Sequence, residues 1–180
     1  MKSYARPVAF LVACYCASTC GASASCASGM PLDYDDVRYV EVKQYAFPAG
    51  NWPIYTFGVT YYPAIPSLPE RADARLQAKE QVPLKGDFSA ARSMDVFHAS
   101  IGLLRNADFF AMRLQPVAAK YLDGPTDSIT AEACGVTWTL SIEDSSGEFE
   151  LEDAAAKRFF RLESEFRDMI FKAAWTPIST

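Results

Sequence analysis

Hydrophobic and polar residues alternate most regularly near the C-terminal end of the chain. From Val136 to Ile142 every second residue is apolar, and threonine or serine stands between. A period of two is typical of a β-strand with one buried and one solvated face. Residues 144–147, Asp-Ser-Ser-Gly, provide turn chemistry, and the alternation resumes over residues 148–152. The pattern therefore predicts a β-hairpin.

A helical period follows the predicted hairpin. Residues 155–173 carry apolar side chains at steps of three and four, which form a stripe able to cover the hairpin. The stripe consists of Ala155, Phe159, Leu162, Phe166, Met169, Ile170 and Ala173. Lys172 suits the negative end of the helix dipole, and Pro177 stops the helix. Glu163 and Arg167 are predicted to form a surface pair four residues apart.

The N-terminal half predicts a second hairpin. Residues 37–45 are rich in valine and tyrosine, and residues 55–61 alternate between apolar residues and threonine or glycine. A stiff connector follows, with prolines at 63, 66 and 69. Residues 70–81 are ambiguous, because their composition favours a helix while their alanines and leucine alternate as in a strand.

A second amphipathic helix is predicted from Ser93, its candidate N-cap, to Leu104. The aromatic residues 107–112 are expected to tuck the chain under the sheet, and residues 120–130 to form a loop. These elements predict an α+β domain, in which an antiparallel sheet of roughly four to six strands carries two helices on one face.

Composition agrees with a single folded domain. Half of the 180 residues are hydrophobic and 22% are charged. The net charge is -5 and the isoelectric point is near 4.9. This acidic balance argues against nucleic-acid binding, which requires a basic surface to displace phosphate counterions.

The first residues have the order of a secretory leader. Lys2 and Arg6 precede the apolar residues 7–13, and small residues follow. The apolar run is too short to span a bilayer as a helix. We therefore expect export, with residues 1–24 as signal peptide, 25–36 as flexible tether and 37–180 as the domain.

Two endings of the leader compete. Cleavage after Ala24 would release a periplasmic protein that begins at Ser25. Residues 17–20, Ala-Ser-Thr-Cys, are similar to the lipobox of bacterial lipoproteins, which would make Cys20 the lipidated first residue. The residues before Cys14 match the lipobox better by residue type, but cleavage there would leave a very short apolar region. Only such an anchor would connect this protein to a membrane.

Four of the five cysteines lie in or beside the leader, so they do not form a metal-ligand framework in the domain. Cys134 is the exception. The favoured interpretation is a small buried hydrophobic residue, and the alternative is a disulfide to Cys26 in an oxidising compartment.

Candidate chemistry is sparse. His98, the one histidine, could act as a general base oriented by Asp95 or Asp127, but a helix histidine is more often structural. No glycine precedes Ser100, so it does not form a nucleophile elbow. The acidic residues at 33, 35 and 36 are predicted to form a solvated turn rather than a calcium loop. We predict no catalytic residue, no metal site and no cofactor.

Several short motifs together resemble an uncharacterised family of bacterial envelope proteins, domain of unknown function 6438. They are Pro53-Ile54-Tyr55, the helix end at residues 107–110, Thr126-Asp127, the strand after Gly135, and the final helix closing on Trp175. The resemblance covers residues 37–175 and implies a strand at residues 70–81. Family members often carry cysteine directly before the Pro-x-Tyr motif, where this chain has Trp52 and no cysteine at residues 47–51.

Together these features predict a non-enzymatic binding or inhibitor module, similar to an immunity protein, that meets an envelope or secreted protein in the periplasm. The alternative is a hydrolase of envelope polymers that uses His98 and nearby carboxylates.

Overall fold

The chain folds as an α+β domain, as the sequence predicts. The computed structural model describes residues 32–45, 53–79, 84–114, 126–143 and 154–178. The strands and α-helices within these residues are β1 Val37–Tyr45, β2 Pro53–Tyr62, β3 Arg71–Ala78, β4 Gly86–Ala90, α1 Ser93–Asn106, β5 Thr126–Ala133, β6 Val136–Glu143, α2 Ala154–Lys172 and β7 Trp175–Pro177. The strands form one antiparallel sheet in the order β6-β5-β1-β2-β3-β4-β7, more strands than the sequence pattern suggested.

The two helices cover one face of this sheet, and the hydrophobic core lies between them. Alternate residues of β1 and β2, such as Val40, Val42, Phe57 and Val59, are fully buried on that face. Because side chains alternate along a strand, the residues between them point to the opposite face, which none of the described helices covers and which we call the uncovered face.

The predicted hairpin of β1 and β2 is present, and it lies in the centre of the sheet rather than at an edge. The ambiguous residues 70–81 contain a strand, β3. Helix propensity is overridden there because Ala74, Leu76 and Ala78 reach the core when the segment is extended and paired with β2.

The prediction of a loop at residues 120–130 is wrong for the residues from Thr126 onward, which belong to β5. This strand pairs with β1 on one side and with β6 on the other. Its alternation is hard to recognise in the sequence because its buried residues are Ile129 and two alanines. Only two residues, Cys134 and Gly135, connect β5 to β6, and both have positive φ angles of 54° and 73°. Positive φ at both positions is typical of tight hairpin turns.

Helix α1 packs mainly over β2 and β3, and Leu104 is fully buried. The predicted N-cap is wrong, since Ser93 is the first helical residue and caps nothing. Its hydroxyl instead accepts a 3.1 Å hydrogen bond from the Ala74 amide and donates to the Ala90 carbonyl. Ser93 thereby ties the start of the helix to β3 and to the end of β4.

Helix α2 buries most of the predicted stripe, with Phe159, Leu162, Phe166 and Ile170 fully inaccessible. Met169 is only partly buried, and Ala173 lies just beyond the end of the helix. The helix ends at Lys172, and the chain then enters β7 at the far edge of the sheet. Trp175 Nε1 donates a 2.6 Å hydrogen bond to the Ile170 carbonyl and fixes this change of direction.

The aromatic stretch after α1 is packed as predicted, with Phe109 and Met112 fully buried. Phe110 stacks on Tyr34 at 4.9 Å, which holds a short 3-10 helix, Tyr34–Asp36, against the domain. Asp36 is buried, so the prediction of a solvated acidic turn is wrong for this residue. The ordered domain therefore begins before Val37.

Several predictions fall outside the described residues. They are the signal peptide 1–24, the lipidation site Cys20, the tether up to residue 31, the turn at 144–147 and the return strand at 148–152.

Candidate functional sites

A pair of carboxyl groups, buried Glu163 of α2 and half-buried Asp127 of β5, lies where α2 crosses β1 and β5. Glu163 is only 7% exposed, because it follows Phe159 by four residues and precedes Phe166 by three, on the face that packs on the sheet. Gln44 Nε2 donates a 2.7 Å hydrogen bond to Glu163 Oε1. Glu163 also hydrogen-bonds to Asp127, and Asp127 Oδ1 accepts from the Tyr45 amide at 2.7 Å.

Glu163 is protonated more readily than an ordinary glutamate. Burial, followed by the neighbouring Asp127 carboxylate, raises the pKa of Glu163 to about 7, although the charge of Arg167 opposes both effects. Tyr55 completes the cluster: its buried hydroxyl has no hydrogen-bond partner among the described residues, and burial raises its pKa as well. Near neutral pH the carboxyl pair can hold one proton between two acceptors.

This finding corrects the predicted surface pair of Glu163 and Arg167, since only Arg167 is exposed. The sequence indicates the burial of Glu163, because this residue lies within the apolar stripe of the helix. Glu163 has little access to a substrate, and a hydrogen bond joins it to Asp127. Glycoside hydrolases separate their two carboxyl groups by at least about 5 Å, so this arrangement suits a structural role better.

Among the described residues, His98 does not join a catalytic group. It is exposed on α1, and its ring lies 5.7 Å from the ring of its neighbour Phe97. Asp95 pairs with Arg92, while Asp127 lies on β5, away from the strands that α1 covers. Within the described part of the chain no hydrogen bond or ion pair connects His98 to either carboxylate.

Cys134 is partly exposed in the β5–β6 turn and takes part in a disulfide bond. The favoured interpretation as a buried free thiol is therefore wrong. Its partner lies outside the described residues, as do the other four cysteines, so the pairing with Cys26 stays a prediction.

The uncovered face of the sheet carries a groove across its centre. Its floor is β2, where Thr56, Gly58 and Thr60 point away from the helices, and its walls are side chains of β1 and β3. The groove encloses about 470 Å³, within the usual range of ligand sites.

Gly58 creates this groove by lacking a side chain. It stands between Glu41 of β1 and Arg75 of β3 in the sheet register. The Tyr39 hydroxyl leans over it, 3.5 Å from where a Cβ would lie. A small side chain would fit at this position, and a long one would fill the groove.

The groove walls are held in place by short polar contacts. Along β1, Glu41 accepts a hydrogen bond from the Tyr39 hydroxyl at 3.1 Å and pairs with Lys43 at 2.7 Å. Partial burial, followed by the Glu41 charge, raises the pKa of Tyr39 to about 12, so this phenol remains a donor. On β3, Arg75 pairs with Asp73 at 3.0 Å.

One carboxylate in the groove, that of Asp87, has no ion-pair partner among the described residues. Asp87 of β4 is exposed beside Ile178 at the end of the groove. The other two carboxylates in the groove already face a cation, so Asp87 is the acidic group without an ion pair among the described residues that line it. A ligand with a basic group would complement it.

Within the described part of the chain, no group of three or more histidine, cysteine or acidic side chains lies close enough together to hold a metal ion. Neither of the described helices has the length and apolar character needed to cross a membrane.

Comparison of the chain with protein-family models, with curated proteins and with solved structures finds no match in any of the three. The resemblance to domain of unknown function 6438 stays a prediction that rests on the motifs quoted above.

Proposed function

We propose that this protein is a non-enzymatic binding or inhibitor module of the bacterial envelope, and that the central groove of its uncovered sheet face holds the partner. The observation that carries this proposal is the gap over Gly58, walled by side chains that are already fixed in place. Preorganised walls favour binding because little side-chain entropy is lost when the partner arrives.

The charge of the groove indicates the kind of partner. Lys43 and Arg75 are neutralised by their acidic neighbours, whereas Asp87 forms no ion pair with the described residues. An exported protein that presents a lysine or arginine side chain fits this surface, with the basic group at Asp87 and the polar remainder of its segment along the threonines of β2. An acidic chain of net charge -5 also attracts a basic partner over a distance.

Two features support an exported location. The leader-like order of Lys2, Arg6 and the apolar residues 7–13 is one. The disulfide at Cys134 is the other, since structural disulfides are typical of oxidising compartments such as the periplasm. Soluble and lipid-anchored forms are both compatible with these observations.

Blocking the groove tests this proposal. Gly58→Gln places a long polar side chain in the groove without touching the core, whereas Thr137→Gln adds the same side chain to an exposed position of β6 on the same face. The full chain and both variants are immobilised, exposed to envelope extract, and the captured proteins are quantified by mass spectrometry. We expect specific partners to be lost with Gly58→Gln and retained with Thr137→Gln.

Asp87→Asn tests the contribution of the negative charge. This variant should weaken capture of the same partners without filling the groove. Equal capture by wild type and Gly58→Gln would overturn the proposed binding surface.

A further inference from the structure

The connection between β2 and β3 forms a second surface that differs from the groove in every respect. We call residues 62–70 the proline hairpin. It carries three of the large hydrophobic side chains that the domain exposes: Tyr62 at 42%, Ile65 at 54% and Leu68 at 50%. All of its residues are exposed. Large apolar side chains concentrated on one exposed loop are typical of an interaction site.

The tip of the proline hairpin has a defined shape. Ile65 and Leu68 exchange two backbone hydrogen bonds, each 3.0 Å long, around a two-residue turn. Pro66 occupies the first turn position, where its fixed φ favours the bend, and Pro63 and Pro69 stiffen the two arms. The two aliphatic side chains therefore project from a small closed loop.

The base of the proline hairpin is fixed to the rest of the domain. The Tyr61 hydroxyl donates a 2.8 Å hydrogen bond to Glu70, which joins the two arms. The Tyr61 ring stacks on Phe97 of α1 at 4.8 Å, and the Arg71 guanidinium lies 4.9 Å above the Tyr62 ring. The apolar tip is thus presented on a braced support, which reduces the entropy lost on binding.

We propose that the proline hairpin inserts Ile65 and Leu68 into an apolar cleft of a second exported protein. A narrow convex apolar tip fits a concave site, and two neighbouring aliphatic anchors suit a desolvated pocket. A lipid surface fits less well: the hairpin contains one charged residue, the acidic Glu70, and the chain as a whole is acidic. Loops that bind anionic membranes usually add basic residues to their apolar ones.

Site-specific photocrosslinking in cells that produce the full chain tests this inference. A benzophenone amino acid replaces Ile65 in one variant and Val136 in another. Val136 is the matched control, because it is a branched aliphatic residue, 47% exposed, directly after the two-residue turn of another hairpin. We expect a protein adduct at position 65 and none at position 136.

The crosslinked protein is then purified, and its affinity for the uncrosslinked chain is measured. Ile65→Ser and Leu68→Ser should each weaken binding at least about tenfold, whereas Val136→Ser should leave it unchanged. All three positions are exposed, so circular dichroism should show folded variants. Sedimentation with phosphatidylethanolamine–phosphatidylglycerol vesicles should show no binding.

Four results would overturn the inference: no protein adduct at position 65 above the level at 136, an adduct with lipid, an adduct with a second copy of this chain, or an affinity that the two serine variants do not change. This outcome is separate from that of the groove. Loss of binding with Ile65→Ser but not with Gly58→Gln would support the hairpin alone, and the reverse would support the groove alone.

Discussion

Glu163 of α2 and Gln44 of β1 lie 119 residues apart in the chain and share a 2.7 Å hydrogen bond inside the domain. The bond places a carboxyl group beneath a helix, where ionisation is costly. Its surroundings comprise Tyr55 on β2, Asp127 on β5 and Arg167 on the same helix. The stability of the domain should therefore depend on whether Glu163 carries a proton.

The direction of this dependence follows from the raised pKa. Unfolded glutamate titrates near 4.5 and folded Glu163 near 7, so between these values the folded state holds a proton that the unfolded state has lost. The contribution of Glu163 to the free energy of unfolding should fall as pH rises through this window, by at most on the order of 3 kcal/mol.

Glu163→Gln should remove most of that dependence. The amide can still donate to Asp127 and accept from Gln44, as the protonated acid does. Urea unfolding at pH 8 should show the variant to be more stable than wild type by about 1 to 3 kcal/mol, with a smaller difference at pH 5. Glu165→Gln is the control, because Glu165 forms a surface pair with Arg161. A variant less stable than wild type at pH 8 would show that the ionised carboxylate is favourable.

The same region shows how far the sequence could predict the structure. The apolar stripe of α2 can be predicted from the sequence because its large apolar residues recur at helical spacing. Their burial then determines which face of the helix packs on the sheet. The hydrogen-bond partners of Glu163 cannot be predicted from the sequence, because Gln44 and Asp127 lie next to it only when β5 pairs with β1. That pairing depends on a strand whose buried residues are mostly alanine.

One feature of the sequence indicates the groove. A lone glycine in the alternating strand β2 suggests that something approaches the backbone closely. Its opening against Tyr39 and Arg75 depends on the register of three strands, which the local pattern does not determine. The proline hairpin was recognised as a stiff connector, but the exposure of Ile65 and Leu68 was not, because apolar residues are expected to be buried.

Phe166 provides a test of the α2 packing. Its ring is fully buried, so Phe166→Ala should lower the free energy of unfolding by about 3 to 5 kcal/mol. Arg158→Ala, on the exposed side of the same helix, should change it by less than about 0.5 kcal/mol. Denaturant titrations of the two variants provide the comparison, and equal losses would mean that α2 presents a different face to the sheet.

His98 provides a test of the non-enzymatic proposal. It is exposed on α1 and joins no carboxylate among the described residues, so His98→Gln should leave partner binding and any detected hydrolysis of envelope polymers within a few-fold of wild type. Removal of a general base typically costs roughly 100-fold or more. A loss of that size in a variant with an unchanged melting temperature would favour the hydrolase instead.

Removal of the leader limits the cysteines that can pair with Cys134. Cleavage after Ala24 removes Cys14, Cys16 and Cys20 and leaves Cys26 as the one remaining partner within the chain. A lipoprotein would retain Cys26 as well, with Cys20 acylated. We therefore expect a Cys26–Cys134 disulfide in both the soluble and the lipid-anchored form. The first residue of the mature chain should distinguish the two forms.

Mass spectrometry of the protein from its native cells tests both points. An unmodified chain starting at Ser25 indicates the soluble form, and a chain starting at Cys20 with added acyl mass indicates the anchored form. Peptide mapping without reductant should show Cys26 linked to Cys134, and Cys134→Ser should release a free thiol at Cys26. An intact chain starting at Met1 would argue against export, and with it against a partner in the envelope, because the domain would then remain in the compartment where it was made.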